Sequence, residues 1–403
     1  MRLINRKICG LFAESLLNCI IFAENRQLMK YIYNYPQWPD FTWDQALISN
    51  ILAKINKEAG FLSGRLSTIG LDARMGAVVE TVTHDIVSSS EIEGVVLNTN
   101  EVRSSVARRL GIVIPHSQDS SRYIDGIVEM MLDATVNYKK PLTNERLFGW
   151  HNVLFPGGRS GINIIDVAKY RSGGMKVVSG ILGKEKVHYV APSPDRLEKE
   201  INTFLDWFND SNTTCNYLKS AIAHLWFVCI HPFDDGNGRI GRAISDMALS
   251  QADDSQMRYF SMSKQINKDK KSYYDILERT QKRGCDITEW LSWYLGCMSR
   301  AISASDTILS RVLNKAIFWQ THAGTPFTDR IQTVLNIYLD GYEGKLTAKN
   351  WANLSKVSLD TAARDIKYLV DTGILIPQPG NVRNVSYGIC CSDGNTIIPG
   401  NSD

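Results

Sequence analysis

The stretch from His231 to Arg242 constrains this chain more than any other feature, and it reads His-Pro-Phe-Asp-Asp-Gly-Asn-Gly-Arg-Ile-Gly-Arg. An imidazole, two carboxylates, three glycines and two arginines lie within these twelve residues. This mixture suits neither an apolar core nor a linker, because so many charged groups need partners. Apolar helical periodicity occupies residues 217–230 and resumes near Gly238. The stretch is therefore predicted to be a polar loop between two buried helices, ending at the N-terminus of the second.

The end of this loop has the composition of a phosphate-binding site. A helix N-terminus binds anions, because its first backbone N–H groups lack partners and its dipole end is positive. Gly236 and Gly238 are expected to adopt positive φ and to let phosphate oxygens approach the backbone closely. Asn237 can donate its side-chain amide to the same anion. Arg239 and Arg242 lie three residues apart on the new helix and can clamp phosphates in a bidentate fashion.

Two further residues of the loop offer metal and acid–base chemistry. Asp235 is a hard oxygen ligand beside the predicted phosphate site, which suits Mg²⁺. His231 is a residue type that titrates near neutral pH, so it can take a proton from an attacking hydroxyl. Phe233 is predicted to anchor the loop in the core. Each residue alone has a structural explanation, but no structural requirement brings all these groups into one loop.

The stretch resembles the signature of the Fic family, His-Pro-Phe-x-Asp-Gly-Asn-Gly-Arg-x-x-Arg, at every defined position. The segments 168–171, 175–190 and 194–208 resemble parts of the same family, and the resemblance covers roughly residues 115–300. It implies transfer of a nucleoside monophosphate, usually AMP from ATP, onto a protein hydroxyl. With glycine at position 238, the motif resembles that of the nucleotidyl-transferring members of the superfamily. The Doc-type kinases carry lysine at that position.

By the same resemblance, each defined polar residue of the motif acts on the nucleotide. The implied roles are general base for His231, Mg²⁺ ligand at the α- and β-phosphates for Asp235, anion hole for Asn237 and Gly238, and β- and γ-phosphate contacts for Arg239 and Arg242. Residues 175–190 are predicted from their own pattern to form a β-hairpin, because two β-rich runs flank a Gly/Lys/Glu turn. The resemblance makes this hairpin the flap that binds a protein substrate by strand addition.

A second motif suggests that the protein is autoinhibited. Residues 89–94, Ser-Ser-Glu-Ile-Glu-Gly, resemble the inhibitory motif Ser/Thr-x-x-x-Glu-Gly/Asn of many Fic proteins. Taken alone, the segment is equally a solvated helix end with Gly94 as its C-cap. Helical spacing places Glu93 on the apolar face, in the series Val79, Val82, Ile86, Ser89 and Glu93. A carboxylate there needs a partner, which the resemblance identifies as Arg242, whereas Glu91 on another face is expected to be solvated.

Helical periodicity dominates the chain, so the predicted fold class is mainly α: a Fic-type helical core with a β-hairpin flap, an N-terminal helical region and a C-terminal winged helix-turn-helix. Thr42, Thr143, Thr347 and Ser358 are predicted N-caps. Three helices and two short strands, around 374–376 and 385–389, suggest the winged helix. The predicted domains are an uncertain extension at 1–28, the N-terminal helical region with the inhibitory helix at 29–114, the catalytic core at 115–300, a linker helix at 301–324 and the winged helix at 325–392.

Composition excludes several classes of protein. The chain has 403 residues with 44% hydrophobic and 22% charged residues, which is ordinary for a globular protein. A net charge of +3 is too small to indicate electrostatic capture by nucleic acid or membrane. The eight cysteines form no Cys-x-x-Cys pair, and no apolar run reaches transmembrane length. A cytoplasmic protein is therefore expected. The resemblance to the Fic family implies ATP as substrate and Mg²⁺, held by Asp235, as cofactor.

Alternatives remain open at this point. The winged helix suggests a DNA-binding regulator whose core only senses nucleotides, although residues 325–390 contain seven basic and six acidic side chains, too even a balance for a strongly basic face. The same site could use another nucleotide, or Glu93 could position a water that removes AMP from a protein. Self-modification is expected, and Fic proteins of this layout often form homodimers.

Overall fold

The computed structural model of the chain describes residues 31–67, 70–114, 117–180, 184–210, 217–340, 342, 344–379, 385–390 and 396–397. The predicted mainly α fold is confirmed. The helices are α1 Gln45–Ser67, α2 Leu71–Ile92, α3 Thr99–Arg109, α4 Arg122–Val136, α5 Asn144–Leu154, α6 Pro194–Asn209, α7 Tyr217–Ile230, α8 Asn237–Ala252, α9 Met262–Lys268, α10 Lys270–Gln281, α11 Thr288–Thr321, α12 Asp329–Leu339, α13 Ala348–Ser355 and α14 Leu359–Asp371. The predicted extension at 1–28 lies outside the described residues.

The described residues divide into two compact units. One contains the residues up to Gly60 together with Val78–Ile302, and the other contains Phe61–Ala77 and the residues from Ser303 onward. Among the described residues, no helix combines the length and the apolar character that a membrane span requires.

Helices α7 and α8 form the centre of the first unit. All fourteen residues of α7 are buried, as expected for a helix that is apolar on every side. Helix α8 packs along α7 and is buried over most of its length, and α4 and α5 pack against α8. The motif loop is therefore held between two helices that have little freedom to move.

Side-chain caps fix where several helices begin. Thr143 Oγ1 accepts the backbone N–H of Arg146 at 3.2 Å, which confirms the predicted cap. The predicted cap at Thr42 is wrong. Thr42 is extended, and its backbone N–H and C=O bond the Cys285 carbonyl and the Ile287 N–H, each at 2.9 Å. Asp44 Oδ1 instead accepts the N–H of Leu47 at 2.9 Å.

The predicted hairpin at 175–190 is confirmed. Strands β3, Lys176–Ser179, and β4, Lys186–Val190, pair antiparallel with an irregular register between Val177 and Val178. A shorter hairpin that the sequence analysis did not predict precedes it, with β1 at Arg159–Ser160 and β2 at Asn163–Ile164. Two-residue strands are too short to leave a period-2 signal in the sequence.

The second unit contains α12 to α14 and a three-stranded antiparallel sheet in the order β5, β6, β7, at Leu375–Pro377, Tyr387–Cys390 and Thr396–Ile397. The predicted caps at Thr347 and Ser358 are confirmed, each accepting the N–H of the third following residue. Trp351 is fully buried in its core. This element order agrees with the predicted winged helix-turn-helix, but both that fold and its role stay predictions.

Candidate active site

The motif occupies the loop between α7 and α8 and the first turns of α8. Gly236 is the N-cap of α8, with φ of +82°, and no side chain caps the helix. The first intrahelical bond runs from Ile240 N–H to the Gly236 carbonyl at 2.9 Å. The backbone N–H groups of Asn237, Gly238 and Arg239, which precede Ile240, therefore point out of the helix end, where an anion binds most favourably.

Phe233 and Asn237 hold the loop in this shape. Phe233 is fully buried and its ring stacks on His151, with centroids 4.3 Å apart. The Asn237 side chain accepts the Phe233 N–H at 2.9 Å and donates to the Phe233 carbonyl at 2.8 Å. Both ends of the Asn237 amide therefore brace the loop, and the predicted anion contact by this amide stays a prediction. Only its backbone N–H lies at the helix end.

His231 has positive φ, +52°, and its ring is oriented by a backbone carbonyl. Nδ1 lies 3.1 Å from the Val228 carbonyl oxygen, which can only accept a hydrogen bond. Nδ1 therefore carries the proton, and Nε2 is left as the acceptor. Burial lowers the pKa of His231, although the Val228 hydrogen bond opposes this effect. His231 is thus neutral at physiological pH and able to accept a proton.

Asp235 presents a carboxylate beside the helix end. Oδ1 accepts the Gly236 N–H at 2.6 Å, and Ser160 Oγ donates to Oδ2. The side chain is 43% exposed, so its remaining lone pairs face an open region. Mg²⁺ in phosphate-handling sites typically takes one or two carboxylates, with water and phosphate oxygens completing the octahedron. Asp235 fits such a site, and the described residues contain no cluster of three acidic, histidine or cysteine side chains that would bind a metal by themselves.

Arg239 and Arg242 are both buried, which separates them from the solvated arginines of an ordinary helix surface. Arg239 lies over the Phe155 ring, with Cζ 5.0 Å from the centroid, and Nη1 donates to Tyr123 Oη at 2.9 Å. Arg242 donates from Nε to Ser89 Oγ at 2.8 Å and from Nη2 to the Ser89 carbonyl at 2.9 Å. Each guanidinium is thus held in place by contacts within the protein.

Glu93 reaches the same guanidinium from just beyond the end of α2. Its Oε1 lies 2.7 Å from Arg242 Nη2. Burial is the largest single influence on Arg242 and opposes its charge, but the Glu93 carboxylate together with Tyr273 and Tyr274 raises the pKa of the guanidinium on balance. The side chain of Glu93 is 32% exposed, so it lines an opening rather than the core that periodicity suggested. Gly94, with φ of +79°, follows the helix end, so the C-cap geometry and the ion pair coexist.

Gly238 explains how close this carboxylate comes to the helix end. Its φ is helical, so the predicted positive φ is confirmed for Gly236 and wrong for Gly238. A Cβ added at Gly238 would lie 2.1 Å from Glu93 Oε1. The Glu93 carboxylate therefore lies directly over the first turn of α8, against a residue that has no side chain to keep it away.

The flap is joined to the loop by buried contacts. Tyr189 Oη, on β4, donates to the Cys229 carbonyl at 2.7 Å, two residues before His231. Arg171 is buried and donates from Nε to the His231 carbonyl at 2.8 Å and from Nη2 to the Pro192 carbonyl at 2.6 Å. A single guanidinium thus joins the histidine to the segment that follows the flap.

Several contributors could not be identified as such from the sequence. Ser160, Tyr123 and Phe155 contact motif side chains, yet each lies between 75 and 116 residues away from its partner along the chain. Glu91 was expected to be solvated, but its Oε2 accepts the side-chain amide of Asn267 at 2.7 Å. No periodicity encodes such pairs, because they depend on how distant elements pack.

Comparison with known proteins agrees with the geometry. Residues 141–249 match the Fic/DOC family, and residues 31–112 match a domain of unknown function, DUF4172. A protein adenylyltransferase Fic from Nematostella vectensis is 23% identical over 267 residues, which cover 65% of this chain and 56% of that protein. A uridine 5′-monophosphate transferase from Xanthomonas campestris is 29% identical over 119 residues, 28% of this chain and 21% of that protein.

A probable protein adenylyltransferase from Aquifex aeolicus is 40% identical over 58 residues, 14% of this chain and 18% of that protein. These matches span about half the length of the Nematostella protein and less of the others. The crystal structure of a Fic family protein from Desulfovibrio desulfuricans has the same fold, with a TM-score of 0.52 and 21% identity over 91% of this chain and 99% of that one.

Proposed function

We propose that this chain, whose residues 141–249 match the Fic/DOC family, is a protein adenylyltransferase, which transfers AMP from ATP to a Tyr, Thr or Ser hydroxyl of a target protein. One arrangement carries the proposal. A glycine-capped helix N-terminus and a histidine with an acceptor Nε2 lie in the same short loop. Anion binding and proton removal are the two tasks of nucleotidyl transfer to a hydroxyl.

His231 acts on the target hydroxyl. Its Nε2 accepts the proton as the hydroxyl oxygen attacks the α-phosphorus, and pyrophosphate leaves. The lowered pKa keeps the ring neutral at physiological pH, and the Val228 carbonyl keeps the proton on Nδ1. Arg171 holds the backbone of His231 in its positive-φ conformation through the carbonyl oxygen.

The first turn of α8 binds the phosphates. Its outward N–H groups stabilise the negative charge, and Arg239 and Arg242 neutralise the departing pyrophosphate. Asp235, oriented by Ser160 and by the Gly236 N–H, is the residue that would hold Mg²⁺. When bound, Mg²⁺ would supply charge neutralisation at the phosphates.

In this proposal, Glu93 inhibits productive binding of the nucleotide. It takes one of the guanidinium donors of Arg242, and it lies over Gly238, where a phosphate would approach the helix end. A charge-assisted hydrogen bond contributes about 1.5–3 kcal/mol, and about 1.4 kcal/mol corresponds to a tenfold change in an equilibrium. The ion pair alone would suppress productive nucleotide binding by roughly one to two orders of magnitude, and occupation of the phosphate position adds to this.

The flap supplies the binding surface for the target in this proposal. Strand addition to a two-stranded hairpin offers backbone hydrogen bonds to any extended segment, so the target region is expected to be extended around its hydroxyl. Self-modification follows if the chain has such a segment of its own. The exposed cross-strand pair Val178 and Val187 gives the flap an apolar face beside its backbone edge.

A second candidate is the same transfer with another nucleotide. The similarity to a uridine 5′-monophosphate transferase favours UTP as the alternative donor. None of the described contacts of the loop indicates a preference for one base.

The experiment that tests both candidates compares four nucleotides in parallel reactions. Purified Glu93→Gly protein is incubated with Mg²⁺, a cell lysate and each α-³²P-labelled nucleoside triphosphate in turn, and labelled proteins are resolved on gels. ATP is expected to give the strongest labelling. Labelling with UTP alone would replace the first candidate by the second, and absence of labelling with all four nucleotides would contradict nucleotidyl transfer.

A further inference from the structure

A chain of three polar side chains connects the flap to helix α10 outside the motif loop. Ser179 Oγ lies 2.6 Å from His188 Nε2, and His188 Nδ1 lies 2.6 Å from Glu278 Oε2. Ser179 and His188 belong to the two strands of the flap, whereas Glu278 belongs to α10. None of the three belongs to the motif, and the mechanism above does not use them.

The register of the flap explains why His188 points to α10. Val177 pairs with Tyr189 and Val178 pairs with Val187, so His188 is an extra residue on β4. Such a bulge interrupts the alternation of side chains and re-aims one of them. Tyr189 turns into the core, where its hydroxyl bonds Cys229, while the imidazole of His188 reaches the carboxylate of Glu278.

Helix α10 is a firm support for this contact. Tyr273, Ile276 and Leu277 are buried, so the helix is packed into the first unit. Lys282 Nζ donates to the other oxygen of Glu278 at 2.5 Å, which fixes the carboxylate from the opposite side. Lys282 and then His188 lower the pKa of Glu278 to about 2, so the carboxylate is ionised at any physiological pH.

The hairpin needs such a support, because an isolated two-stranded hairpin is marginally stable in water. Its base is fixed by Tyr189 and by the Arg171 bond to Pro192. Beyond that base, Val178 and Ser179 are exposed and contribute little packing. His188 is about one quarter exposed and lies where the buried base gives way to the exposed part.

We infer that His188 is a positioning residue for the protein substrate: held by Glu278, it fixes the outer part of the flap so that a target segment pairs with it. This rests on the proposed function. The cluster also has the order of a nucleophile, base and orienting carboxylate. A nucleophilic role would require anion-stabilising donors around Ser179, and the helix end that supplies such donors belongs to the motif loop.

The test separates binding of the target from reaction with the nucleotide. Full-length protein with the Glu93→Gly change is given α-³²P-ATP, Mg²⁺ and increasing lysate, and pyrophosphate release without lysate is measured in parallel. His188→Ala is expected to raise the lysate concentration for half-maximal labelling about tenfold, the effect of losing one charge-assisted hydrogen bond. The ATP concentration for half-maximal pyrophosphate release should change less than about twofold.

Rescue and control variants distinguish positioning from general loss of structure. His188→Asn should restore most of the labelling, because its amide donates from nearly the position of Nδ1. Glu278→Ala should match His188→Ala, and the double variant should be no worse than either. Glu289→Ala is the matched control, since Glu289 pairs with Arg279 and Arg283 and not with the flap.

Three results would overturn the inference: equal half-maximal lysate concentrations for His188→Ala and the parent, a parallel rise in the ATP concentration for half-maximal pyrophosphate release, or covalent labelling of Ser179 by a fluorophosphonate. Absence of labelling in every variant, parent included, would instead remove the proposed function. The two failures are therefore distinguishable.

Discussion

In the motif loop between α7 and α8, Phe233 and Asn237 are buried: the Phe233 ring stacks on His151, and Asn237 bonds the Phe233 backbone. In the flap, by contrast, Val178 and Val187 expose 48% and 39% of their surface. Both regions belong to the same unit, and Tyr189 bonds the base of the flap to the end of α7. In the proposed function, the loop is thus pre-arranged for one reaction, while the outer flap leaves its apolar and backbone groups for a partner.

The difference indicates a division of labour. Electrostatic stabilisation of a transition state depends on groups that do not reorganise during the reaction, which the loop provides. Recognition of varied protein segments depends on accessible backbone edges, which the flap provides. Changes in the loop should therefore affect every target equally, whereas changes in the flap should affect targets differently.

His231→Ala is the change with the largest expected effect. Loss of a general base reduces the rate by about 10²- to 10⁴-fold, and labelling of every target in a lysate should fall together. Nucleotide binding, measured by fluorescence with a labelled non-hydrolysable analogue, should be retained. Selective survival of some labelled proteins in the His231→Ala sample would contradict the division between loop and flap.

Glu93→Gly is expected to raise the labelling rate about 10- to 100-fold, because it removes the carboxylate from Arg242 and from the space over Gly238. Glu93→Gln should give a smaller rise, since the side chain still occupies that space. Initial rates at fixed ATP measure both.

Glu91→Gln is the matched control for these variants, because Glu91 lies two residues away and bonds Asn267 instead of Arg242. A rise in rate with Glu91→Gln equal to that of Glu93→Gly would show that loosening the end of α2, and not the ion pair, releases the activity.

Much of this site could be predicted from the sequence because its residues are contiguous. The loop boundaries, the burial of Phe233 and the pairing of Glu93 with Arg242 followed from spacing, resemblance and periodicity, and the geometry agrees with each. Thr42 was assigned as a cap from its residue type, but its backbone is used by a distant segment. Local preference cannot anticipate such competition.

Two further contacts of the loop were not predicted, one local and one between distant elements. The bracing of the loop by the Asn237 amide was not predicted: the buried Phe233 backbone offers the amide a donor and an acceptor, and unsatisfied backbone groups there are costly. Ser160 had no signal at all, because a two-residue strand has no period and its partner Asp235 lies 75 residues away.

Ser160→Ala tests whether the β1–β2 hairpin orients Asp235 for the proposed Mg²⁺ site. Ser160 donates to the Asp235 carboxylate, and loss of an outer partner of a metal ligand typically costs about 10- to 100-fold in metal affinity. The Mg²⁺ concentration for half-maximal labelling should rise about tenfold, with the maximal rate little changed. A lower maximal rate at saturating Mg²⁺ would place Ser160 in the reaction itself.

Val178→Ser sharpens the comparison from the side of the flap. Removing part of an exposed apolar face should weaken binding of targets that contact it by about threefold. Pyrophosphate release without a target should stay unchanged, because the loop is untouched. Quantitative mass spectrometry of labelled lysate proteins should show a changed ranking of targets, and a uniform decrease would contradict a recognition role.

The smallest expected effect is that of pH, and it concerns His231. Only the neutral ring accepts a proton, so activity is lost as pH falls through the pKa of His231. Burial lowers that pKa below its usual value of about 6.5. The rate at limiting ATP should therefore retain more than half of its pH 8 value at pH 6.5, since this rate reports the free enzyme.

Glu93 gives this profile a sharper test. Its negative charge raises the pKa of His231 and so partly offsets the effect of burial. Glu93→Gln removes that charge while keeping the shape of the side chain, and the acid limb should then move to lower pH. Glu91→Gln should leave the limb in place, because Glu91 is not among the groups that act on His231. A shift of the limb to higher pH in Glu93→Gln would mean that another group controls it, and the assignment of His231 as the base would then fail together with the view of the loop as a pre-arranged site.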